Sequence, residues 1–331
     1  MADHTACRIE NPLLLRFWGV RGSIPAPGPE TAHYGGNTSC MELRLGNEVL
    51  ILDAGSGIRR LGLLLASERE TKPLQTTLLI SHTHWDHIQG LPFFRPAYDR
   101  ESQMRILGAP GTRERLHTAL VRQMDPIQFP IPLECLRGIT EIDEFASAST
   151  SIGSFSVQTI GLNHPGGCTG FKITSAGRSI AYLPDHESYR VAIESSDSAV
   201  AASGRKAEIE LTEFLAGCDL LILDAQYSGA EYSERIGWGH GCVSDSVSLA
   251  MRAGVERLIL FHHDPNHDDI EIDSMLSEAR WQVIEAGSQL RVEAAREREE
   301  IFPHFLESNW LPNESRFNYG SLTGGRPAAV S

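Results

Sequence analysis

The decapeptide SHTHWDHIQG, Ser81 to Gly90, follows the apolar run TTLLI and sets three histidines and an aspartate within six residues. Neutral imidazoles and a carboxylate suit Zn, Mn or Fe. His82 and His84 stand two apart at a strand end, so an extended backbone points them to one side. Asp86 and His87 follow as the chain turns. A lone histidine here would read as a solvated loop residue. Four ligating side chains in six positions read as a metal site. Two metals held close together activate a water and steady a developing oxyanion, which is hydrolytic chemistry.

HTHWDH is also the HxHxDH signature of the metallo-β-lactamase superfamily, which this chain resembles through most of its length. The resemblance implies an α/β fold, a four-layer αββα sandwich with a dinuclear metal site at its edge. The family's later ligands have matches in order: His164 in LNHPGG just past a strand, Asp185 closing SIAYLPD, and His262 closing RLILF. By this resemblance His82, His84 and His164 hold one divalent ion. Asp86, His87 and His262 hold the other, and Asp185 bridges the two. Zn is the ion expected, with Mn and Fe as alternatives, because such donor sets accept all three. In FHHDP the residues alone leave the last ligand open between His262 and His263, since strand neighbours face opposite ways. Matching LILFHHDP to the family's strand-then-histidine pattern selects His262 and leaves His263 supporting it or facing substrate.

The superfamily hydrolyses β-lactams, thioesters, lactones and phosphodiesters, so the fold alone does not choose a reaction. Its flavodiiron branch places Glu where this chain has His84 and carries a flavodoxin-like domain, for which no segment exists here. The stretch GWGHGCVSDSVSLAMRAGVERLILFHHDP resembles the histidine motif, helix and last ligand strand of ribonuclease Z and related phosphodiesterases. His240 matches that motif's histidine. Asp224, in LLILDAQYS, stands where ribonuclease Z carries a glutamate one methylene longer. The resemblance implies a phosphodiesterase in which a metal-bridging hydroxide attacks phosphorus. Asp86 orients it, and His240, tuned by Asp224, stabilises the transition state and assists the leaving oxygen. The alternatives are a ribonuclease Z-like endoribonuclease acting on transfer RNA precursors, a thioester or lactone hydrolase, and a metal-dependent module without enzymatic activity.

The front of the chain, FWGVRGSIPAPGPETAHYGGNTSC, together with LPFFRPAY, resembles a cyclic-phosphodiesterase-like bacterial branch, so the substrate expected is a small phosphodiester, cyclic or not. Arg21, Asn37, Thr38 and His263 are the candidate substrate-binding residues, with Ser23 nearby. Gly35 and Gly36 would let backbone N–H groups approach an anion. Plain turn chemistry accounts for these loops equally well. Asp53, ending an apolar strand before AGSG, is expected to orient a ligand histidine or the turn. Trp85, Phe93, Phe94 and Tyr98 either wall a pocket for a base or pack the rim. His186 is a supporting neighbour of Asp185.

Composition narrows the partners. The 331 residues carry a formal charge of −14, which argues against long nucleic acid spread over the surface. The segment HESYRVAIESSDSAVAASGRKAEIELTEF, where ribonuclease Z carries a basic arm, has more acids than bases. Six cysteines without a CxxC pair read as free thiols in a reducing compartment. With no basic-then-apolar start and no membrane-length apolar run, a cytoplasmic protein is expected. Exposed loops such as DPIQFPIPLE are suited to pack a homodimer or to cover the site.

The elements that must position these residues alternate short apolar runs with turns. Strands are expected at 13–18, 40–45, 48–53, 76–81, 104–109, 154–162, 170–175, 179–185, 219–224 and 257–261. Helices are expected at 57–67, 112–124, 207–217, 244–254 and 269–287. The second half repeats the grammar of the first. The reading is one hydrolase domain over 1–295, two sheets packed together with helices outside, and a C-terminal extension over 296–331 with a disordered tail.

Overall fold

The computed structural model describes residues 12–69 and 73–303. The expected disordered tail and the first eleven residues lie outside them. Among the described residues, fourteen strands form two seven-stranded sheets. The first begins with the antiparallel run β1 (Leu14–Gly19), β2 (Cys40–Leu45) and β3 (Glu48–Leu52). It continues in parallel through β4 (Gln75–Leu79), β5 (Gln103–Gly108) and β6 (Ile139–Glu144). The second begins with the antiparallel run β7 (Ser149–Ile152), β8 (Phe155–Leu162), β9 (Cys168–Ser175) and β10 (Arg178–Leu183). It continues in parallel through β11 (Leu220–Asp224), β12 (Arg257–Phe261) and β13 (Arg291–Ala294). The same meander-then-parallel order occurs twice, as the repeated grammar of the sequence implies.

Helices cover both outer faces. α1 (Ile58–Arg69), α2 (Trp85–Ile88) and α3 (Arg113–Gln123) belong to the first half. α4 (Arg190–Ile193), α5 (Ser198–Leu215), α6 (Gly229–Tyr232), α7 (Val243–Ala253) and α8 (Asp269–Glu285) belong to the second. Three apolar layers follow. Leu15, Phe17, Leu43, Phe171, Tyr182 and Phe261 fill the space between the sheets. Ile51, Leu61, Leu78, Ile106 and Leu116 bind α1 and α3 to the first sheet. Leu211, Leu221, Val247, Leu258 and Leu276 bind α5, α7 and α8 to the second. The inner parallel strands are buried on both faces, which is why LLILD reads as an unbroken apolar run. Truncating one such core leucine to alanine costs about 2–5 kcal/mol.

Local chemistry sets the helix ends. Asp197 caps α5 by accepting from the N–H groups of Ala199 and Val200, and Asp268 caps α8 through Glu271 N–H. Gly254 ends α7 in the left-handed conformation. α5 starts nine residues before the expected 207, because its first half is alanine-rich and lacks an apolar period. There Gly204 lies against α4, with an added Cβ 3.0 Å from Ala192 Cβ. Edge strands β6 and β7 escaped the sequence reading for a related reason: ITEIDE and STSI are half-exposed and carry little apolar alternation.

The sheet also runs past the expected boundary at residue 295. β14 (Glu300–Ile301) pairs with β1 through Leu15↔Ile301 and Arg16↔Glu300. A two-residue strand is too short to show periodicity, so the sequence displayed only a fading pattern. At the opposite end of β1, the backbone of Arg21 bridges to Thr38 on one side and to His263 on the other. Gly22 N–H donates to His263 O and His263 N–H to Val20 O, which joins the two sheets along one edge. No helix among the described residues is long and apolar enough to cross a membrane.

Candidate metal centre

The candidate ligands leave their strands at this joined edge. His82 follows β4, His164 follows β8, Asp185 follows β10 and His262 follows β12. His84 is the residue before α2, while Asp86 and His87 lie within it. The ligand atoms of His82, His84, His164 and Asp185 fall within 4.8 Å of one another, and so do those of Asp86, His87 and His262. Asp185 stands between the groups. Its Oδ2 lies 3.5 Å from His82 Nε2 and 3.7 Å from His164 Nε2. Its Oδ1 lies 3.0 Å from His87 Nε2 and 3.4 Å from His262 Nε2. One carboxylate thus shows one oxygen to each group.

Four of the imidazoles are oriented from behind. His164 Nδ1 donates to Gly239 O at 2.8 Å, and His262 Nδ1 donates to Gln226 Oε1 at 3.0 Å. His87 Nδ1 donates to Asp53 Oδ2 at 2.8 Å. His82 Nδ1 lies 3.2 Å from Ser81 Oγ, which itself donates to Asp53 Oδ2. Each contact favours the proton on the outer nitrogen, so that a neutral ring would present its Nε2 lone pair to a metal in the centre. His84 faces inward through Nδ1, 2.9 Å from His164 Nε2.

Converging lone pairs repel unless a cation lies between them. His82 Nε2 and Asp185 Oδ1 are buried and have no hydrogen-bond partner among the described residues. Unpaired buried polar atoms of this kind are costly, and divalent cations would satisfy both. Electrostatics agrees. Burial pushes the pKa values of His82, His84 and His164 down, keeping them neutral ligands. Burial alone would raise Asp185 and Asp86, yet the facing histidines hold both well below the usual carboxylate range. Against burial, Asp185, Asp86 and Asp53 in turn hold His87 well above the usual imidazole range. Positive charge is thus favoured between the carboxylates, the place a divalent cation would take. The donor set fits divalent metal ions.

Asp53 performs both roles expected of it. Fully buried, and in the left-handed region at φ 58°, it accepts from Ser81 N–H, Ser81 Oγ, His87 Nδ1 and Tyr182 OH, each at 2.8 Å. His240 lies beside the centre. Its ring stacks on His262 with centroids 4.8 Å apart, and its Nδ1 lies 2.9 Å from Asp224 Oδ2. The shorter aspartate still reaches, because Asp224 ends β11 immediately beside the loop carrying His240. Burial opposes charge on His240, but Asp224, then Asp185 and Asp86, outweigh it and push its pKa up to about 9. Asp86 is pinned by Ser23 N–H, which donates to its Oδ2 at 2.7 Å.

The four expected substrate-binding residues are committed to the fold instead. The buried guanidinium of Arg21 donates to the carbonyls of Gly35 (2.8 Å), Asp264 (2.9 Å) and His267 (2.6 Å). Asn37 gives its backbone and side-chain N–H groups to Glu297. Thr38 Oγ1 accepts from Ser56 N–H and Gln89 Nε2. His263 donates Nε2–H to Ala295 O, and burial, then Arg21, pushes its pKa down to about 3. Reaching for substrate would leave these partners unpaired in the interior. His186 likewise is committed to the fold: it accepts from Asn163 N–H and meets Tyr189 edge-on. Of the four aromatics, Phe94 is core and Tyr98 is half-buried, while Trp85 and Phe93 are exposed.

Sequence reasoning missed several contributors. Gln226 holds His262 and donates to Asp264, and only its place two residues after Asp224 hinted at this. Glu187 grips Gly237 N–H and Gly239 N–H, both at 2.8 Å. Arg115 of α3 donates to Gly166 O beside His84, and nothing local in the sequence marks it.

A metal-dependent hydrolase is the class that this fold and centre define. The chain belongs to the β-lactamase superfamily: the model of the β-lactamase superfamily domain matches residues 48–263. It is 26 % identical over 299 residues to a ribonuclease Z of Bradyrhizobium sp. (strain ORS 278), covering 80 % of this chain and 93 % of that one. The metallo-β-lactamase fold protein YhfI of Bacillus subtilis superposes with a TM-score of 0.62 at 19 % identity, covering 88 % of this chain and 99 % of that one. PDE1 of yeast gives a TM-score of 0.63 at 15 % identity with the same coverages. At such identities the superpositions speak for the fold alone.

Proposed function

We propose that the protein hydrolyses a small phosphodiester, with two divalent ions in the centre, Zn first among the candidates. His82, His84 and His164 would hold one ion, Asp86, His87 and His262 the other, and Asp185 both. Bound there, the ions supply a nucleophilic water at neutral pH and Lewis acidity toward phosphoryl oxygens. The observation that carries the reading is His240 on Asp224. A thioester releases a thiolate that needs no acid, and a lactam nitrogen takes a proton but presents no anionic centre, whereas phosphodiester cleavage both builds charge on phosphoryl oxygens and releases an alkoxide that must be protonated. His240, held by Asp224 and favoured in its charged form, supplies that proton and neutralises phosphoryl charge. Asp86, pinned by Ser23, holds the attacking side in place. Arg115 is exposed beside His84, where an anionic substrate would meet a guanidinium.

The ribonuclease Z reading draws support from the 26 % identical ribonuclease Z of Bradyrhizobium. The charge of −14 opposes it, as does the segment 186–214. That segment has six acids against three bases and folds into α4 and α5 rather than a free basic arm. The test is hydrolysis by metal-stripped and reloaded protein of bis(p-nitrophenyl) phosphate beside a β-lactam, a thioester and a transfer RNA precursor across a salt series. Diester turnover alone supports the proposal. Lactam or thioester turnover overturns the substrate class, and precursor cleavage at low salt moves the assignment to the endoribonuclease.

A further inference from the structure

Glu187 follows Asp185 by two residues and is only 6 % exposed. Three neutral donors hold its carboxylate. Oε1 accepts from Tyr232 OH and Gly237 N–H, and Oε2 accepts from Gly239 N–H, each at 2.8 Å. A neutral acceptor could close this turn with a smaller desolvation penalty. A carboxylate, however, offers two oxygens in one rigid plane, so it fixes two N–H groups of one turn at once. Two left-handed glycines, Gly237 (φ 84°) and Gly239 (φ 88°), let both N–H groups turn to it. Both sides of Gly239 then lead into the centre. Its carbonyl accepts from His164 Nδ1 at 2.8 Å, and the next residue is His240, whose own Nδ1 meets Asp224 Oδ2. A Cβ added at Gly239 would run into Pro165 and the His164 ring, so turn and imidazole are in close contact. The backbone of Glu187 repeats the link. Its N–H donates to Asn163 O and its carbonyl accepts from Asn163 Nδ2, both at 2.9 Å, and Asn163 directly precedes His164.

We infer that Glu187 is a positioning residue that sets two groups of the centre together, His240 from its backbone and His164 from its ring, by clamping the turn from Gly237 to Gly239. The His240 half rests on the reading of that residue as the acid for the leaving oxygen; the His164 half rests only on a metal being bound. The physical reason is geometric. A proton is delivered efficiently only within hydrogen-bond reach of the leaving oxygen, and a ligand imidazole binds well only with its ring correctly aimed. A turn of three residues with two glycines would otherwise sample many backbone states. One carboxylate removes that freedom for both groups.

Two readouts test it. The first compares methyl p-nitrophenyl phosphate, whose leaving group departs unaided, with methyl phenyl phosphate, whose leaving group needs the proton. Glu187→Gln keeps the side chain's shape but sets an amide N–H against a backbone N–H. It should lower kcat about tenfold more on the phenyl ester than on the p-nitrophenyl ester, with KM little changed. A weakened fold lowers the active fraction and slows both esters alike. Tyr232→Phe removes the third donor without touching the turn, and should leave the ratio of the two esters as it is. Gly237→Ala is the second variant should Glu187→Gln fold poorly. An added Cβ there meets nothing within 4 Å, so it strains only the backbone of the turn and should shift the ratio in the same direction. The second readout is zinc retention against a chromophoric chelator. Glu187→Gln should weaken one of the two equivalents, the one assigned to His82, His84 and His164, by about 10–100-fold. Equal losses on the two esters, or a ratio shifted as much by Tyr232→Phe, overturn the His240 half. Unaltered retention of both equivalents overturns the His164 half. A parent protein that cleaves neither ester discards the phosphodiesterase reading and the His240 half with it, and the retention measurement still decides the His164 half.

Discussion

Asp53 Oδ2 receives the Nδ1–H of His87 at 2.8 Å, and neither side chain reaches solvent. The same oxygen takes the hydroxyl of Ser81, whose Oγ lies against His82 Nδ1. One carboxylate therefore orients a candidate ligand in each group of the centre. Asp53→Ala should weaken retention of both metal equivalents, by about 10–100-fold in affinity. Asp53→Asn, which tolerates the left-handed backbone, should fold better but keep the weakened binding. Competition with a chromophoric chelator measures it. Loss of a single equivalent would contradict the shared role.

On the proposed function His240 acts in turnover rather than as a metal ligand, although its ring nitrogen also lies within ligand range of Asp185 and His262. Replacing it with alanine should lower kcat about 10²–10⁴-fold, with metal content by elemental analysis unchanged. A fall in both together would mean that the ring supports the centre's structure instead. Asp224→Asn should reproduce much of the kinetic loss, since His240 then loses the charge that favours its protonated form.

Arg21 braces three carbonyls from two loops, so Arg21→Met should act on stability. A loss of about 2–5 kcal/mol in denaturant unfolding is expected, with KM for the diester unmoved. A raised KM with native stability would restore Arg21 as a substrate ligand.

Metal removal should lower the unfolding midpoint without dissolving the fold. Binding to the native state alone adds about 2.7 kcal/mol at a hundredfold excess over Kd. The three apolar layers, however, form away from the ligands, on the faces of the sheets. Stripped protein should keep its far-ultraviolet circular dichroism and recover its midpoint on reloading. Collapse of the dichroism on stripping would show that the metals hold the sheets together.

Burial pushes the Glu299 carboxyl above its usual range, against Arg296. An acid with a raised folded pKa binds its proton more tightly in the native state. Its favourable contribution is complete below about pH 4.3 and is lost as pH climbs through the folded value. Glu299→Gln should therefore stabilise the protein at pH 7 and flatten this part of the stability profile. A destabilised variant at pH 7 would give Glu299 an ionised partner that outweighs its burial.

Much of this protein is written locally. The strands RLILF and CMELRL appear at the boundaries the sequence suggests, because an unbroken or alternating apolar run next to a turn is a short-range signal. His82, His84, Asp86 and His87 announce themselves by spacing alone. His164, Asp185 and His262 needed the resemblance, since a single polar residue at a strand end carries no local signature. The tertiary structure alone decided three matters. It turned Arg21, Asn37, Thr38 and His263 inward, because the joining of the sheets through residue 21 encloses those polar groups and pairs them with Glu297, Ala295 and neighbouring carbonyls. It separated His262 from His263, because the left-handed backbone at His262 (φ 62°) aims one ring at Asp86 in the candidate centre while the other bonds Ala295 O. And it placed Glu187, Gln226 and Arg115 around the centre. Those contacts join residues 36 to 52 positions apart in the chain, and the Tyr182–Asp53 bond between the sheets joins residues 129 apart, whereas periodicity reports nothing beyond a single element.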